Sequence, residues 1–331
     1  MSAQNNTREP ILKVEHLTKH FIIKGKGNLH AVDDVSFEIM PNETLGLVGE
    51  SGCGKSTVGN VLMRFFPETA GSVFYKGKDW LKMSGFKKKE LRRDIQMIFQ
   101  DPYSSLNPRK TIWSILSEPF VIHRLCKKSE IDTKVRELMD TVGLETYIQE
   151  LFPHELDGGK RQMVGIARAL ALNPKFIVCD EPVSSLDVSV QATIINLLVK
   201  LQKEMELSYL FISHDLSVVR HISDRIVVMY LGQIVETAEK NELFLNTLHP
   251  YSIALLSAVP TTSFEAEKTR IVLEGDVPSP LNPNPDCCRF APRCWMAQEK
   301  CFNESPMLDD VGAEHCVACH YWRQSKQRAK V

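Results

Sequence analysis

A glycine-rich segment has the residue types and spacing of a phosphate-binding loop. It fits the pattern G-x-x-x-x-G-K-[S/T] and contains Gly49, Glu50, Ser51, Gly52, Cys53, Gly54, Lys55, Ser56 and Thr57. In this pattern the glycines let backbone N–H groups point at a phosphate, while the lysine adds positive charge and the hydroxyl can hold Mg²⁺. A glycine-rich turn without a ligand is the alternative. The complete pattern, placed between an expected strand and an expected helix, favours binding of a nucleoside triphosphate.

A second segment ends in two adjacent carboxylates. Residues 176–181 read Phe-Ile-Val-Cys-Asp-Glu, which predicts a nonpolar strand that delivers Asp180 and Glu181 at its end. Asp180 would bind Mg²⁺, directly or through water, and Glu181 would polarise an attacking water. A strand end that merely meets solvent is the alternative for such a pair. Its position, about 125 residues after the phosphate loop, favours the catalytic interpretation.

Short nonpolar strands alternate with amphipathic helices around these two segments. The pattern predicts strands over residues 44–48, 95–99, 176–179, 210–212 and 226–230, and a helix over 190–201. Such alternation predicts an α/β fold with a largely parallel core sheet. Pro278, Pro280, Pro283 and Pro285 then interrupt a segment of little periodicity. We therefore predict a boundary near residue 258, with one domain over 1–258 and an extension over 259–331.

The composition excludes some classes of protein. The chain has 331 residues and a net charge of -1, from 40 Lys+Arg against 41 Asp+Glu, so nothing in the overall charge indicates nucleic acid. The 43% hydrophobic content is sufficient for a large core. No stretch approaches the roughly 18 uninterrupted nonpolar residues of a membrane span, and the first ten residues lack the nonpolar core of a signal peptide. We expect a soluble, cytoplasmic protein.

Further motifs occur in a fixed order around the two segments. They are Gln100-Asp101-Pro102, Leu156-Asp157-Gly158-Gly159-Lys160-Arg161-Gln162, Ser184-Ser185-Leu186-Asp187 and Ser213-His214-Asp215. Taken in order, they resemble the Q-loop, signature motif, D-loop and switch histidine of the ABC ATPase family, over residues 11 to 258. The resemblance implies an ABC-type P-loop nucleotide-binding domain with a helical subdomain, and ATP with Mg²⁺ as its ligands.

The resemblance also implies roles for individual residues. Lys55, Glu181 and His214 would be catalytic, with His214 as the γ-phosphate sensor. Gln100 would contact Mg²⁺ beside Ser56 and Asp180, and its segment would couple ATP binding to a membrane subunit. The residues of this chain that would contact ATP in a head-to-tail pair of cassettes include Leu156, Asp157, Gly158, Gly159, Lys160 and Asp187. Phe21 matches the aromatic residue that stacks on adenine, although a core aromatic is an equal alternative.

The signature departs from the family pattern. The usual sequence is Leu-Ser-Gly-Gly-Gln, whereas Asp157 replaces the serine and Lys160 replaces the glutamine. An ionised carboxylate cannot donate the hydrogen bond that the serine gives to the γ-phosphate. We therefore expect this chain to pair with a different cassette that has an intact signature. A binding module that never hydrolyses ATP is the alternative.

A closer resemblance is to the ATP-binding subunits of oligopeptide/dipeptide importers. It depends on residues 49–52, on residues 100–108, on the tract His249-Pro250-Tyr251 and on the cysteine-rich tail. It implies peptide import, a second ABC ATPase subunit, two transmembrane permease subunits, an extracellular solute-binding protein, and a peripheral position on the cytoplasmic side of the cell membrane. Nickel importers share this architecture. A soluble ABC-type ATPase acting on nucleic acid or ribosomes is a rival that a single phosphate loop and near-zero charge disfavour; we expect no nucleic-acid partner.

The tail contains six of the nine cysteines. The family pattern maps onto Cys288-x5-Cys294-x6-Cys301-x17-Cys319, and four thiolates suit a [4Fe–4S] cluster or a tetrahedral zinc ion. The resemblance favours the iron–sulfur cluster in a small Cys-rich C-terminal domain, while zinc and unligated thiols remain open. The additional side chains that could replace a ligand are Cys287, Cys316, His315 and His320.

Overall fold

The computed structural model describes residues 9–258, 271–275 and 277–328, which belong to two compact units. The first unit contains Met40–Glu43 and Lys82–Ile212 together with the described residues up to Ile11. The second contains Leu12–Ile39, Thr44–Leu81 and the described residues from Ser213 onward. The predicted domain boundary near residue 258 stays a prediction, since residues 259–270, including Pro260, lie outside the described residues.

The secondary structure alternates strands and helices for most of the chain. The strands are β1 (Leu12–Ile23), β2 (Gly27–Ile39), β3 (Thr44–Val48), β4 (Ala70–Tyr75), β5 (Lys78–Asp79), β6 (Ile95–Ile98), β7 (Phe176–Asp180), β8 (Ser208–Ser213), β9 (Arg225–Tyr230), β10 (Gln233–Glu239), β11 (Asp309–Asp310) and β12 (Cys316–Val317). The helices are α1 (Lys55–Leu62), α2 (Gly85–Asp94), α3 (Pro102–Ser105), α4 (Ile112–His123), α5 (Ile131–Val142), α6 (Gly158–Leu170), α7 (Val188–Met205), α8 (Leu216–Ile222), α9 (Lys240–Leu245), α10 (Pro250–Ser257), α11 (Glu299–Asn303) and α12 (Trp322–Arg328). None of the helices in the described part of the chain combines the length and hydropathy that a bilayer crossing requires.

Parallel strands form the centre of the first unit. Strand β7 pairs in parallel with β6 on one side and β8 on the other. Every residue of β7 and β8 is buried, as is usual for parallel strands covered on both faces. Helices α4, α5 and α6 pack on one another in the same unit. The strands predicted over 95–99, 176–179 and 210–212 are confirmed, and the helix predicted over 190–201 lies within the longer α7.

The second unit combines one parallel pair with antiparallel additions. Strand β3 pairs in parallel with β9, and the strands then follow the order β10, β12 and β11 with antiparallel pairing. A separate antiparallel sheet has the order β2-β1-β4-β5. The strands predicted over 44–48 and 226–230 are confirmed. The antiparallel sheet was not predicted. Residues 22–30 form the end of the β1–β2 hairpin, where Ile23 pairs with Gly27.

The described part of the cysteine tail is packed into the second unit. Strand β12 extends the sheet beside β10, where Val317 pairs with Glu236. His315 is 1% exposed, and its ring nitrogens lie 2.8 Å from a Glu236 oxygen and 3.5 Å from a Glu242 oxygen. Glu236 is itself fully buried and accepts the backbone N–H of Leu248 at 2.7 Å. These contacts place the tail in the same compact unit as the phosphate loop, so the expected separate Cys-rich domain is not confirmed.

Candidate nucleotide site

The phosphate loop connects buried strand β3 to helix α1 through backbone positions that only glycine can occupy. Gly54 has φ +106°, and a Cβ placed there would lie 2.0 Å from the carbonyl oxygen of Ala31. A Cβ on Gly49 would lie 2.2 Å from the carbonyl oxygen of Met229. Either contact would force the backbone apart. The loop therefore keeps its course because its glycines allow strands β2 and β9 to approach it closely.

The lysine of the loop is folded back over the loop. Lys55 is 4% exposed, and its ammonium donates to the carbonyl oxygens of Gly49 at 2.8 Å and Glu50 at 3.0 Å. Cys53 lies under the loop, 3% exposed, and burial raises the pKa of its thiol despite the nearby Lys55 charge. The thiol is thus a neutral packing group, and the Lys55 ammonium carries the positive charge of the loop. Ser56 and Thr57 follow in the first turn of α1, and Ser51 and Gly52 are exposed.

Two predicted site residues meet at the carboxyl ends of β6 and β7. The Gln100 side-chain N–H donates to a Glu181 carboxylate oxygen at 2.8 Å. Glu181 has φ +44°, which is uncommon outside glycine, and its backbone N–H is held by the Ile212 carbonyl at 2.9 Å. Asp180, one residue earlier, is 6% exposed. Parallel strands end at the same edge of a sheet, which is why residues 81 positions apart in the sequence become neighbours here.

The signature segment leads into helix α6. Asp157 is its N-cap, and a carboxylate oxygen accepts the backbone N–H of Lys160 at 2.8 Å. The Lys160 ammonium lies 3.6 Å from a Glu145 oxygen and 3.5 Å from the Tyr147 hydroxyl. Because of these two partners and the Asp157 charge, the pKa of Lys160 is raised, with the Tyr147 hydrogen bond as the largest cause. Both unusual residues of the motif therefore have structural partners within the first unit.

The other residues of the signature and D-loop occupy compatible positions in the same unit. Leu156 is buried, at 5% exposure. A Cβ on Gly159 would lie 2.6 Å from a methyl group of Val190, and one on Gly158 would lie 3.0 Å from a methyl group of Leu186. The signature glycines therefore pack close to the start of α7. Asp187 is exposed and precedes that helix as its N-cap.

The expected switch histidine and adenine-stacking residue both belong to the second unit. His214 is exposed and follows the end of β8. Phe21 lies on β1, where its ring meets Phe66 edge-on at 5.4 Å and the Lys19 ammonium lies 4.8 Å from the ring centre. Neither role is tested by these contacts, so both stay predictions.

The cysteines of the tail border a small cavity in the second unit. It is lined by His249, Pro250, Cys288, Phe290, Ala291, Cys294, Met296, Cys301, Pro306, Cys319, His320 and Tyr321. All four cysteines of the predicted ligand set are therefore present, together with His320, one of the possible replacements. Cys287 and Cys316 do not line it, and His315 is bound to Glu236 instead.

Among the described residues, the cavity cysteines do not form a close group of ligand atoms, and burial favours the protonated thiols of Cys288 and Cys319. In the described residues, His20, His30 and Asp33 form a group whose potential ligand atoms all lie within 4.8 Å of one another. No three of the described cysteines form such a group. Tetrahedral zinc at Zn–S distances of about 2.3 Å would bring the sulfurs closer than this. Burial raises the pKa of Cys288 to about 11 and that of Cys319 to about 12. A metal would therefore have to displace protons as it binds.

Comparison with known proteins identifies the family. A sequence model of the ABC transporter family matches residues 32–184, and a model described as the oligopeptide/dipeptide transporter C-terminal region matches residues 235–301. The oligopeptide transport ATP-binding protein AppF of Bacillus subtilis (strain 168) is 50% identical over 331 residues, covering 97% of this chain and all of that protein. The chain belongs to the oligopeptide and dipeptide transport ATP-binding protein family. The dipeptide transport ATP-binding protein DppF of Haemophilus influenzae (strain ATCC 51907 / DSM 11121 / KW20 / Rd) is 45% identical, covering 97% of this chain and 99% of that protein.

Solved ABC cassettes have the same fold. A dimeric ATP-binding cassette in a post-hydrolysis state, bound to ADP and Pi, is 28% identical with a TM-score of 0.63 and covers 69% of this chain and 98% of that one. CbiO1 of Clostridium perfringens, part of an ABC transporter complex, is 27% identical with the same TM-score and covers 71% and 91%. As a member of this ABC family, the chain is an ATPase with ATP and Mg²⁺ as its ligands.

Family membership does not extend to the iron–sulfur cluster. A family model matches the region that contains three of these cysteines, and all four line one cavity. The names of the relatives given above mention no metal. Sequence reasoning also missed Arg293 and Tyr251, whose side chains contact Glu50 of the phosphate loop at 2.7 Å each. The only local signals were the position of Tyr251 in the tract His249-Pro250-Tyr251 and that of Arg293 next to Cys294, and nothing in their spacing indicated a partner near residue 50.

Proposed function

We propose that this ATPase powers the uptake of oligopeptides or dipeptides through a membrane permease. The observation that carries the proposal is the 50% identity to an oligopeptide transport ATP-binding protein over nearly the whole chain. The match of residues 235–301 to the C-terminal region of this transporter family supports it. The chain would act at the cytoplasmic face of the membrane, in a complex with two permease subunits, a second ATPase and an extracellular solute-binding protein.

Each of the predicted site residues would have its own part in hydrolysis. Lys55 and the backbone N–H groups of the loop would hold the phosphates, and Ser56 and Asp180 would hold Mg²⁺, which would supply positive charge next to the phosphate oxygens. Glu181, fixed by Gln100 at 2.8 Å, orients a water whose oxygen attacks the γ-phosphorus. The bond from that phosphorus to the β–γ bridging oxygen breaks, and ADP and phosphate are released. His214 contacts the γ-phosphate in the closed pair of cassettes.

The altered signature supports pairing with a different cassette. The Asp157 carboxylate caps α6 at 2.8 Å from the Lys160 amide, and it places a negative charge at the helix start that would face the γ-phosphate held by the other subunit. At ~4 Å and an effective dielectric of ~20, two unit charges repel by on the order of 4 kcal/mol before relief by neighbouring cations. One ATP site would therefore combine this chain's phosphate loop with an intact partner signature, and the other would be impaired.

Transport in a defined membrane tests the function. The complex, purified with its co-purifying subunits, is reconstituted in vesicles and given labelled dipeptides, labelled oligopeptides or ⁶³Ni²⁺ with the solute-binding protein. We expect ATP-dependent peptide accumulation that the Lys55→Ala variant loses. Accumulation of nickel without peptide would replace the cargo by a metal ion, and stimulation of ATPase activity by RNA or ribosomes alone would overturn the transport assignment.

We further propose that Cys288, Cys294, Cys301 and Cys319 hold a [4Fe–4S] cluster. Their shared cavity with nonpolar neighbours supports this ligand set, since soft thiolates favour iron–sulfur chemistry. Anaerobically purified protein should contain about four iron atoms and four sulfides per chain. Cys288→Ser should lose the iron, whereas Cys287→Ser, a change at the neighbouring cysteine outside the cavity, should keep it. Stoichiometric zinc, or equal loss from both variants, would overturn the assignment.

A further inference from the structure

Glu50, in the phosphate loop, is held at its backbone N–H, its carbonyl and its carboxylate by three different residues. Its backbone N–H donates to the Tyr251 hydroxyl at 2.7 Å, and its carbonyl accepts the Lys55 ammonium at 3.0 Å. Its carboxylate accepts two hydrogen bonds from the Arg293 guanidinium, at 2.7 Å and 3.3 Å. Two of the three partners, Tyr251 and Arg293, come from the C-terminal part of the chain, outside the ATP-binding motifs.

The Arg293 contact has the geometry of a strong interaction. Both terminal nitrogens of the guanidinium point to the two oxygens of one carboxylate, which is the bidentate arrangement that adds direction to charge. The Arg293 side chain is 7% exposed and that of Glu50 is 26% exposed, so water screens the pair only in part. The hydrogen bond to Glu50 is the largest cause of a raised pKa for Arg293. The pair is therefore a directional and partly buried contact.

The loop that carries Arg293 is anchored at its other end as well. Arg289, four residues earlier and 9% exposed, donates to the Leu231 carbonyl at 2.5 Å and also contacts the Asp33 carboxylate. Asp33 lies on β2 and accepts from His20 at 2.9 Å. Arg293 therefore comes from a segment that is itself held in place, so it can restrain Glu50 rather than merely follow it.

The phosphate loop needs such a restraint for two physical reasons. A loop with glycines at 49, 52 and 54 has a large backbone entropy, and ordering it only when ATP arrives would reduce affinity. The Glu50 carboxylate also lies in the loop that must accept a polyanion, and the guanidinium compensates that charge. Since Lys55 is bound to the Glu50 carbonyl, any shift of Glu50 also shifts the charge that meets the phosphates.

We propose that Arg293 is a positioning residue for the phosphate loop, which it holds through Glu50 so that the loop binds ATP tightly. Arg293 does not touch the nucleotide in this role. It makes the cysteine-rich tail part of the machinery that sets nucleotide affinity, although the tail is outside every ATP-contacting motif. Tyr251 contributes to the same restraint from α10.

Kinetics of the assembled transporter complex test the proposal. The variants are Glu50→Gln, Arg293→Gln and the double variant, with Lys300→Gln as the control because its exposed pair with Glu304 at 3.4 Å lies in the same tail. Arg293→Gln should raise the KM for ATP about tenfold or more and change kcat much less, because it loosens binding and leaves a carboxylate uncompensated. Lys300→Gln should leave both constants unchanged. The Kd of a non-hydrolysable ATP analogue should follow the KM.

The double variant separates positioning from general damage to the fold. If Arg293 acts through Glu50, Arg293→Gln should have little further effect in the Glu50→Gln background, since the carboxylate that it left unpaired is gone. Equal effects in both backgrounds, or a loss confined to kcat, would overturn the proposal. If Arg293→Gln does not fold, Arg293→Lys decides: it keeps the charge but not the bidentate geometry, and an unchanged KM would count against a positioning role.

Discussion

The phosphate loop and the signature segment both lead into the start of a helix, yet the charges at the two helix starts are opposite. The first ends in Lys55, whose ammonium is folded over the loop, and tethers from Tyr251 and Arg293 hold it. In the second, the Asp157 carboxylate already accepts the N–H at the start of α6. A helix start attracts anions through its N–H groups and its dipole. The phosphate loop is thus open to an anion such as a phosphate, whereas the signature segment already has an anion of its own at its helix start.

The largest expected effect comes from the catalytic carboxylate. Glu181→Gln should lower ATP turnover by the assembled complex about 100-fold or more, because the amide cannot take a proton from the attacking water. ATP binding should persist, since the phosphate loop is unchanged, and the closed pair of cassettes should accumulate. Turnover and retained nucleotide are measured together, with Glu204→Gln on the exposed side of α7 as the control.

The same substitution in the partner cassette tests whether the two ATP sites are unequal. If the proposed pairing with a different cassette holds, replacing the partner's catalytic glutamate should lower ATP turnover much less, since its site would depend on the altered signature of this chain. Equal losses from the two glutamate changes, or full activity of this chain as a homodimer, would show that Asp157 and Lys160 are tolerated variants and not a cause of asymmetry.

Low pH should reduce the free energy of unfolding through His249, which lies close to Tyr251. His249 caps α10, the helix of Tyr251, and burial lowers its pKa to about 3 from 6.5. The unfolded chain therefore takes up a proton below pH 6.5 that the folded chain refuses, so this stability is present above pH 6.5 and is lost as the pH falls. The loss is at most about 1.4 kcal/mol per pH unit, or about 2 kcal/mol at pH 5.

Thermal midpoints between pH 7 and pH 5 measure this effect. His249→Asn keeps an oxygen that can accept the Tyr251 amide, and it should flatten the pH dependence. His154→Asn, which changes an exposed histidine near the signature segment, should leave the dependence as it is. Identical pH curves for the His249 variant and the unmodified protein would show that this histidine does not carry the acid sensitivity.

The smallest expected effect is a gain at the second ATP site. Asp157→Ser with Lys160→Gln restores the usual signature, and serine can still cap α6. In a complex that also carries Glu181→Gln, the remaining hydrolysis reports the second site, and it should rise about tenfold if about 1.4 kcal/mol of repulsion is removed.

Asp157→Ala with Lys160→Gln is the matched control for this gain. It removes the same charges but cannot donate to the γ-phosphate, and it should cost about 1 kcal/mol of stability through the lost cap. A serine variant that hydrolyses no faster than the unmodified signature would contradict an inhibitory role for Asp157.

Local patterns predicted those parts of the molecule whose chemistry depends on a short segment. The phosphate loop follows from glycine positions and a lysine, and the strands that carry Asp180 and the loop follow from short nonpolar runs. The contact between Gln100 and Glu181 was not predicted from the sequence, and the structure explains it because parallel strands end at one edge of the sheet. The antiparallel sheet of β1, β2, β4 and β5 was missed because its strands alternate buried and exposed residues, and no continuous nonpolar run marks them.

The sequence was sufficient to predict an ATPase of this family, because phosphate binding depends on residue types at fixed short spacings. Those spacings can be read directly from the chain. The long-range ion pairs that hold the phosphate loop and the tail in place are visible only in the tertiary structure. Glu50 and Arg293 are 243 positions apart, and Glu236 and His315 are 79 apart. Nothing in either local sequence identifies its partner, since an ion pair forms wherever the packed chain brings opposite charges together. The cysteines identify the tail in the sequence, but its contact with the phosphate loop is visible only in the folded structure.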